Sequence, residues 1–292
     1  MGSLRPATWD LTGEVVANGR VSSGLWRLDL TLPQPVGFEP GQFAMLNLVG
    51  PQQLVFRRPF SIFATAGSTI SFLYRVVGRG TELLADLRVG DGLDCLAPLG
   101  GGFPAPGPEP VVILAGGVGL PPLHAWMLTH GRPEDVACFG ARDGADVPWD
   151  LLDERWQVSV DHDRDVPAHR QAHHGLVTEA ALATLRGADG PRHVLACGPT
   201  PLLKAAAALA RERGWRCHVS LEEHMGCGYG VCKGCVVPVL TDREPGWRNA
   251  TSCEEGPVFD AAQLDWTRYA LGDEEDALGD EEDARGGEED RA

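Results

Sequence analysis

The chain has 292 residues, enough for two domains and a small third module. Its apolar fraction of 43% fits a protein with a real core, and no run of about 18 apolar residues is present, which argues against a membrane-spanning helix. The formal net charge is −16, but residues 271–292 hold 11 acids and two arginines; that tail carries −9 and leaves only −7 for residues 1–270, a balance that argues against nucleic acid as a partner.

The opening MGSLRPATWD has no basic stretch leading into an apolar run, so it does not read as a secretory signal. A cytoplasmic location is expected. Thiols stay reduced there, and a tight cysteine group points to a metal or to catalysis before disulfides.

Residues 10–100 read as short strands. GEVVANGRVS, LWRLDLTLP, GQFAMLNLV, TISFLYRVV and DGLDCLAPLG alternate apolar and polar residues or form short apolar runs, punctuated by Gly and Pro. Strands at this spacing predict an antiparallel barrel. GTELLADLRVG, residues 80–90, breaks the pattern and predicts one short helix.

The Pro- and Gly-rich GGFPAPGPEP, residues 101–110, marks a boundary. Beyond it strands and helices alternate, which predicts a doubly wound parallel sheet over roughly 109–220. PVVILAG, DVACFGAR, WQVSVDH and RHVLACG are its strands. PPLHAWMLTHG opens on proline, which suits a first helical turn. VTEAALATLRG predicts a helix with Thr178 as N-cap. TPLLKAAAALARERG predicts another, capped by Thr200 and closed by Gly214.

Candidate sites lie at the joints. LAGGVGLPPL places Gly116, Gly117 and Gly119 between a buried strand and a helix, where open α/β sheets bind phosphates. The spacing is not G-x-G-x-x-G, and a plain tight turn is an equal reading. ACGPTPLL repeats the arrangement with Cys197 and Gly198; a small buried cysteine is the alternative there. In the barrel, RRPFSI supplies Arg58, Pro59, Phe60 and Ser61. Arg58 suits a phosphate, and Phe60 and Ser61 face opposite sides of an extended segment. An ordinary strand with a surface arginine is the competing reading. LYRVVGRGT adds Leu73, Tyr74, Arg75 and a Gly80-Thr81 turn before the short helix.

The cysteine-rich stretch EEHMGCGYGVCKGCVVPV sets Cys227, Cys232 and Cys235 at C-x4-C-x2-C spacing, with Cys253 in SCEEGPVF as a fourth partner. Plant-type [2Fe–2S] ferredoxins use C-x4-C-x2-C…C. Zinc modules more often use paired C-x2-C knuckles, and only one such pair is present; zinc and inert thiols are the other readings. Gly226, Gly228, Gly230 and Gly234 let the backbone wrap the sulfurs and aim N–H groups at them. Cys95, Cys138 and Cys217 fall in predicted strands and read as core. His173, His174 and His224 are acid–base candidates by type only, and a loop or surface position suits each.

The order R-P-F-S, then Y-R…G-T, then G-G-x-G, then C-G-P resembles the ferredoxin-NADP reductase superfamily. With MGCGYGVCKGCVVPV and CEEGPVF at the end, the chain is similar over about residues 10–262 to the electron-transfer subunit of NAD-dependent dihydroorotate dehydrogenase. The resemblance implies a multi-domain β plus α/β protein. It implies an antiparallel FAD-binding barrel over 8–106, a parallel-sheet NAD-binding domain over 107–220 and an iron–sulfur module over 221–265, while the composition of the remainder predicts a disordered acidic tail, 266–292. It implies FAD contacts at Arg58, Pro59, Phe60, Ser61, Leu73, Tyr74, Arg75, Gly80 and Thr81. It implies an NAD site framed by Gly116, Gly117, Gly119, Cys197 and Gly198, and a [2Fe–2S] cluster on Cys227, Cys232, Cys235 and Cys253. No catalytic acid or base is expected in this chain. The implied partner is an FMN-containing catalytic subunit in a heterotetramer that oxidises dihydroorotate. Related reductase subunits of hydrogenase, sulfide dehydrogenase or ferredoxin:NAD(P)H systems share the same cofactors, and a zinc-stabilised scaffold without redox activity is a reading of another class. Phe60 departs from the tyrosine that many reductases of the superfamily carry there, and the tail lies outside the family pattern.

Overall fold

The computed structural model of the chain describes residues 7–51, 54–186 and 190–269. No helix among them is long and apolar enough to cross a membrane. The charged segment 270–292, expected to be a disordered tail, lies outside the described residues.

Six strands close a barrel: β1 (Trp9–Arg20), β2 (Trp26–Thr31), β3 (Phe43–Leu48), β4 (Arg58–Ala66), β5 (Thr69–Tyr74) and β6 (Gly92–Leu99), in the order β1-β2-β5-β4-β3-β6. Every pairing is antiparallel, and closure leaves no unpaired edge. Alternation decides what points inward. Leu28 and Leu30 on β2, Ile70 and Phe72 on β5, and Leu93 and Cys95 on β6 fill the interior. β3, by contrast, is buried at all six positions. Ala44 and Leu46 face the barrel interior, while Phe43 and Met45 face Cys235 and Cys253. A strand covered on both faces reads as a near-continuous apolar run, and FAMLNL is apolar at every position but Asn47. The helix α1 (Arg79–Ala85) follows β5, with Leu84 buried against the barrel core.

The second sheet holds β7 (Val111–Gly116), β8 (Val136–Asp143), β9 (Trp156–His162), β10 (His173–His174), β11 (His193–Cys197) and β12 (Arg216–Ser220), all parallel. The helix α2 (Leu120–His130) covers one face. α3 (Val177–Thr184) and α4 (Thr200–Arg213) cover the other. Phe63, Leu73 and Phe103 from the barrel side join the α2 face, so the two domains share a core. His124 on α2 stacks on Phe63 at 4.7 Å and on Trp156 at 6.1 Å across that junction.

The C-terminal segment forms a hairpin, β13 (Val236–Leu240) and β14 (Trp247–Thr251), then the short α5 (Ser252–Glu255) and β15 (Val258–Asp260). β15 pairs antiparallel with β12 and completes a sheet ordered β10-β9-β8-β7-β11-β12-β15. The expected purely parallel sheet therefore carries one antiparallel edge strand, contributed by chain beyond residue 220. Residues 266–269, assigned to the tail from composition, are helical instead. Trp266 and Tyr269 pack into the same core as Leu264, and that burial holds them.

Two expected helix caps are corrected. Leu176, not Thr178, occupies the N-cap position of α3, and the Glu179 carboxylate accepts from the Leu176 N–H at 3.0 Å. Pro199 precedes α4, and Thr200 is its first helical residue. Gly214 closes α4 in the left-handed region with φ 65, as expected.

At the amino end of β11, His193 is 1% exposed, and its Nε2 lies 2.8 Å from Nδ1 of His218. Burial, then the nearby His218 and Arg216, push its pKa down to about 4. Between about pH 6.5 and 4 the unfolded chain therefore binds a proton that the folded chain refuses. Stability is complete above that window and falls as the pH drops through it, by on the order of 2–3 kcal/mol for this group. Denaturant titrations at pH 7 and pH 5 are expected to show the loss, and His193→Gln should show much less of it. Equal losses in both proteins would contradict this assignment.

Candidate functional site

β7 lies at the middle of its sheet. The chain leaves it toward β8, β9 and β10, then returns to its other side with β11. That reversal creates a crevice at the carboxyl ends of the strands. Gly117 turns there with φ 52. A Cβ on Gly119 would sit 2.1 Å from the Cys197 carbonyl oxygen, so the two backbones touch. Cys197 pairs with Ala115, and Gly198 follows directly. The structure thus brings Gly116, Gly117, Gly119, Cys197 and Gly198 into one backbone-lined turn. Burial pushes the Cys197 thiol up to about 12, so it stays protonated near neutrality.

On the barrel, Arg58 begins β4, and its Nη1 donates to the Phe56 carbonyl at 2.8 Å. Its stem lies against Gly80, where a Cβ would come 3.2 Å from Nε. Arg58, Arg79 and Gly80 line a cavity of about 310 Å³ with Leu54, Val55 and Phe56. Two guanidinium groups beside a glycine backbone suit the phosphates of a dinucleotide.

The other expected barrel residues are placed differently. Tyr74 is buried in the barrel core; its hydroxyl donates to Asn18 Oδ1 at 2.9 Å, and burial raises its pKa to about 12. Asn18 Nδ2 donates in turn to Leu84 O at 2.8 Å and Leu87 O at 3.1 Å, fastening the end of α1. Tyr74 therefore acts on the site by holding this helix. The Leu73 side chain is buried in the interdomain core. Thr81 Oγ1 accepts from Val77 N at 2.9 Å and donates to Gly78 O at 2.9 Å, which spends the hydroxyl on the turn. Phe60 is half-buried and meets Tyr74 edge-on, ring centroids 6.0 Å apart. Pro59 and Ser61 pair with Met45 and Phe43 of β3. Arg75 is exposed beside Gly24 at the junction with the second sheet.

The four C-terminal cysteines come together in two pairs. Cys227 Sγ accepts the N–H groups of Tyr229 and Cys232, each at 3.5 Å. Cys253 Sγ accepts from Gly230 N at 3.1 Å, and Cys253 N donates to Cys235 Sγ at 3.4 Å. The side chains of Cys227 and Cys232 are hydrogen-bonded, as are those of Cys235 and Cys253. Burial alone raises the Cys227 thiol, but the donated N–H groups outweigh it and bring the pKa down to about 6. Burial, with Cys235 alongside, pushes Cys253 up to about 12. Among the described residues no three His, Cys, Asp or Glu side chains converge as a single metal ion requires. A two-iron cluster takes its thiolates two to each iron, and paired cysteines wrapped by N–H donors fit that need.

The pairs differ in setting. Cys235 and Cys253 are each 2% exposed and pack on Phe43, Met45 and Leu99 of the barrel. Cys232 is exposed. Cys227 lines a cleft of about 590 Å³ together with Leu54, Val55 and Phe56. The same three residues line the cavity beside Arg58. The cysteine site and the barrel cavity therefore share one wall.

Three supports of these cavities escaped sequence reasoning: two brace the shared wall and one holds α1. Asn47, the one polar residue of FAMLNL, accepts Leu54 N and donates to Leu54 O, at 2.9 and 3.0 Å. Arg57 makes a two-pronged ion pair with Asp10 at 2.8 and 3.0 Å. Asn18 is the third. A polar residue inside an apolar strand was the available signal for Asn47. The pairings of Asn18 and Arg57 span the barrel and left no local trace.

The contact at Gly119 yields a direct test. Gly119→Ala is expected to cost about 1–3 kcal/mol of stability, because backbone atoms of Cys197 cannot move aside as a flexible side chain would. Gly19→Ala, where a Cβ meets nothing within 4 Å, is the control. Equal denaturation midpoints for the two variants would refute the close approach.

Comparison with known proteins agrees with this geometry. Residues 222–265 match the family described as the iron–sulfur cluster binding domain of dihydroorotate dehydrogenase B. The dihydroorotate dehydrogenase B (NAD(+)) electron transfer subunit of Shouchella clausii is 35% identical over 77% of this chain and 86% of its own length. The corresponding subunit of Caldanaerobacter subterraneus is 30% identical over 88% of this chain and 98% of its own. Among solved structures, an NADH-dependent reduced ferredoxin-NADP oxidoreductase superposes with a TM-score of 0.72 over 92% of this chain and 93% of that one, at 22% identity; that likeness is one of fold. The chain belongs to the electron transfer subunits of NAD-linked dihydroorotate dehydrogenase B.

Proposed function

We propose that this chain takes electrons from a catalytic dihydroorotate-oxidising subunit and delivers them to NAD⁺ in pyrimidine biosynthesis, with an iron–sulfur cluster and FAD as carriers. The observation that carries the proposal is the shared wall: Leu54, Val55 and Phe56 border both the Cys227 cleft and the Arg58 cavity. Two electron carriers bordering the same three residues are placed for transfer. The proposed partner is an FMN-containing subunit, assembled with this chain as a cytoplasmic heterotetramer.

When bound, the cluster and the flavin supply the exchange between single electrons and a hydride; the protein supplies binding and spacing. Cys227, Cys232, Cys235 and Cys253 would hold the cluster as two pairs. The N–H groups of Tyr229, Gly230 and Cys232 point at the sulfurs and stabilise negative charge there. Arg58 and Arg79 would meet the FAD phosphates, and α1 is held in place by Asn18 and Tyr74. Pro59, Phe60 and Ser61 follow Arg58 on β4, and this segment would border the flavin. The backbone turn at Gly116–Gly119 and Cys197–Gly198 receives NAD, with its glycines admitting the pyrophosphate closely. None of these residues has to move a proton, and the neutral Cys197 thiol makes no nucleophile.

The site makes two linked forecasts. Cys232→Ser should remove the cluster's visible absorption and iron while FAD remains at about one per chain, since the two sites draw on different residues. Full iron content in that variant would remove Cys232 from the ligand set. The purified chain should pass electrons from NADH to an artificial acceptor without oxidising dihydroorotate. Dihydroorotate oxidation by the chain alone would overturn the division of labour.

A further inference from the structure

We infer that Lys233 and Glu254 form a latch across the cysteine site, a pair of positioning residues that closes the ligand loop over the fourth ligand and balances charge beside it. The inference rests on reading the four cysteines as cluster ligands.

Three ligands lie on the loop 227–235, and the fourth, Cys253, lies on α5 beyond a whole hairpin. Something must hold these two pieces in register. Lys233 sits inside the C-x2-C turn, between Cys232 and Cys235. Its Nζ reaches Glu254 Oε2 at 2.9 Å, next to Cys253. The same carboxylate oxygen takes a weaker bond from Thr251 Oγ1 at 3.3 Å. The next residue of α5, Glu255, pairs with Arg248 of β14. The short helix is thus pinned to the hairpin by one acid and to the ligand loop by the other.

An exposed ion pair contributes little stability on its own, and the Lys233 and Glu254 side chains are 62% and 56% exposed. Two further observations set this one apart. Lys233 has φ 54, and only Asp165 shares a positive φ among the described residues other than glycine. A lysine held in the left-handed region costs free energy that a glycine would not, so this backbone is maintained against its preference. Second, the Glu254 carboxylate is pressed against Gly230, where a Cβ would come 2.5 Å from Oε2. The N–H of Gly230 is the group that donates to Cys253 Sγ at 3.1 Å. The latch therefore bears on the peptide that solvates the fourth ligand.

The charges have a consequence for electron transfer. Adding an electron to the cluster makes it more negative, so a nearby cation favours the reduced state and a nearby anion opposes it. With the pair intact the two contributions largely cancel. Removing one partner exposes the other.

The test uses the holo-protein with Lys233→Gln, Glu254→Gln and the double variant, followed by a redox titration of the cluster and by the rate of iron release to a chelator. Lys233→Gln should lower the midpoint potential and Glu254→Gln should raise it, with the double variant near the parent. Each single variant should release iron about two- to fivefold faster, the range expected for one surface ion pair. The double variant should be no faster than the singles, because the interaction is already lost in each. Lys233→Gly relieves the backbone and should still behave like Lys233→Gln. Potentials that do not move, or that move in the same direction in both singles, overturn the charge balance, and unchanged release rates overturn the latch. A Lys233→Gly variant with parental potential and release also overturns it. Absence of a [2Fe–2S] spectrum from the parent protein would overturn the ligand reading itself, and this inference with it.

Discussion

Burial of β3 on both faces is the constraint on which the arrangement depends. Its inner side chains, Ala44 and Leu46, belong to the barrel core, and its outer ones, Phe43 and Met45, form the floor under Cys235 and Cys253. A barrel strand facing water would alternate apolar and polar residues. FAMLNL does not, because the cysteine module occupies the outer side. One strand thereby serves two sites, and the depth of the cysteine pair below the surface follows from it. The loop at Gly228 completes the contact: a Cβ there would come 2.5 Å from Met45 Cγ, so loop and strand meet at van der Waals distance. A shorter side chain at 45 would loosen the loop, and a longer one would lift it.

That geometry explains the uneven character of the four cysteines. The pair packed on β3 lies in apolar surroundings, and burial raises the Cys253 thiol. Cys227 lies toward the cleft, where N–H groups from its own loop stabilise the thiolate. The buried pair thus faces the barrel and the more accessible pair faces outward.

Much of this was legible in the sequence, for identifiable reasons. Barrel strands and the parallel sheet announce themselves through period-two alternation and through buried runs such as VVILAG, since local pattern and burial agree there. The cysteine spacing is local too. What stayed hidden depends on distant partners. Tyr74 looked like a ligand contact from its motif, yet its ring is in the core and its hydroxyl serves Asn18, a residue more than fifty positions earlier. Leu73, its neighbour, points the other way into the interdomain core, as alternation along a strand demands. Thr178 and Thr200 looked like caps because threonine favours that position. Glu179 and Pro199 decided the helix starts instead. The antiparallel strand β15 was missed because VFD is too short to show any period.

β15 also determines how the three parts are held together. Cys253 lies on α5, and only Gly256 and Pro257 separate that helix from β15 on the edge of the nucleotide-domain sheet. Within that link, the Gly256 carbonyl accepts the N–H of Gly101, at the end of the barrel, at 2.6 Å. Leu221 N, just before the cysteine module begins, donates to the Pro257 carbonyl at 2.9 Å. A single stretch of chain is therefore bonded to the barrel, to the second sheet and to the start of its own module, directly after the last cysteine. Such a junction resists independent sliding of the domains, because any shift must break backbone bonds of more than one of them at once. Electron transfer between fixed carriers has no use for hinge motion and every use for constant separation. The fold meets that requirement by placing Cys253 next to the joint.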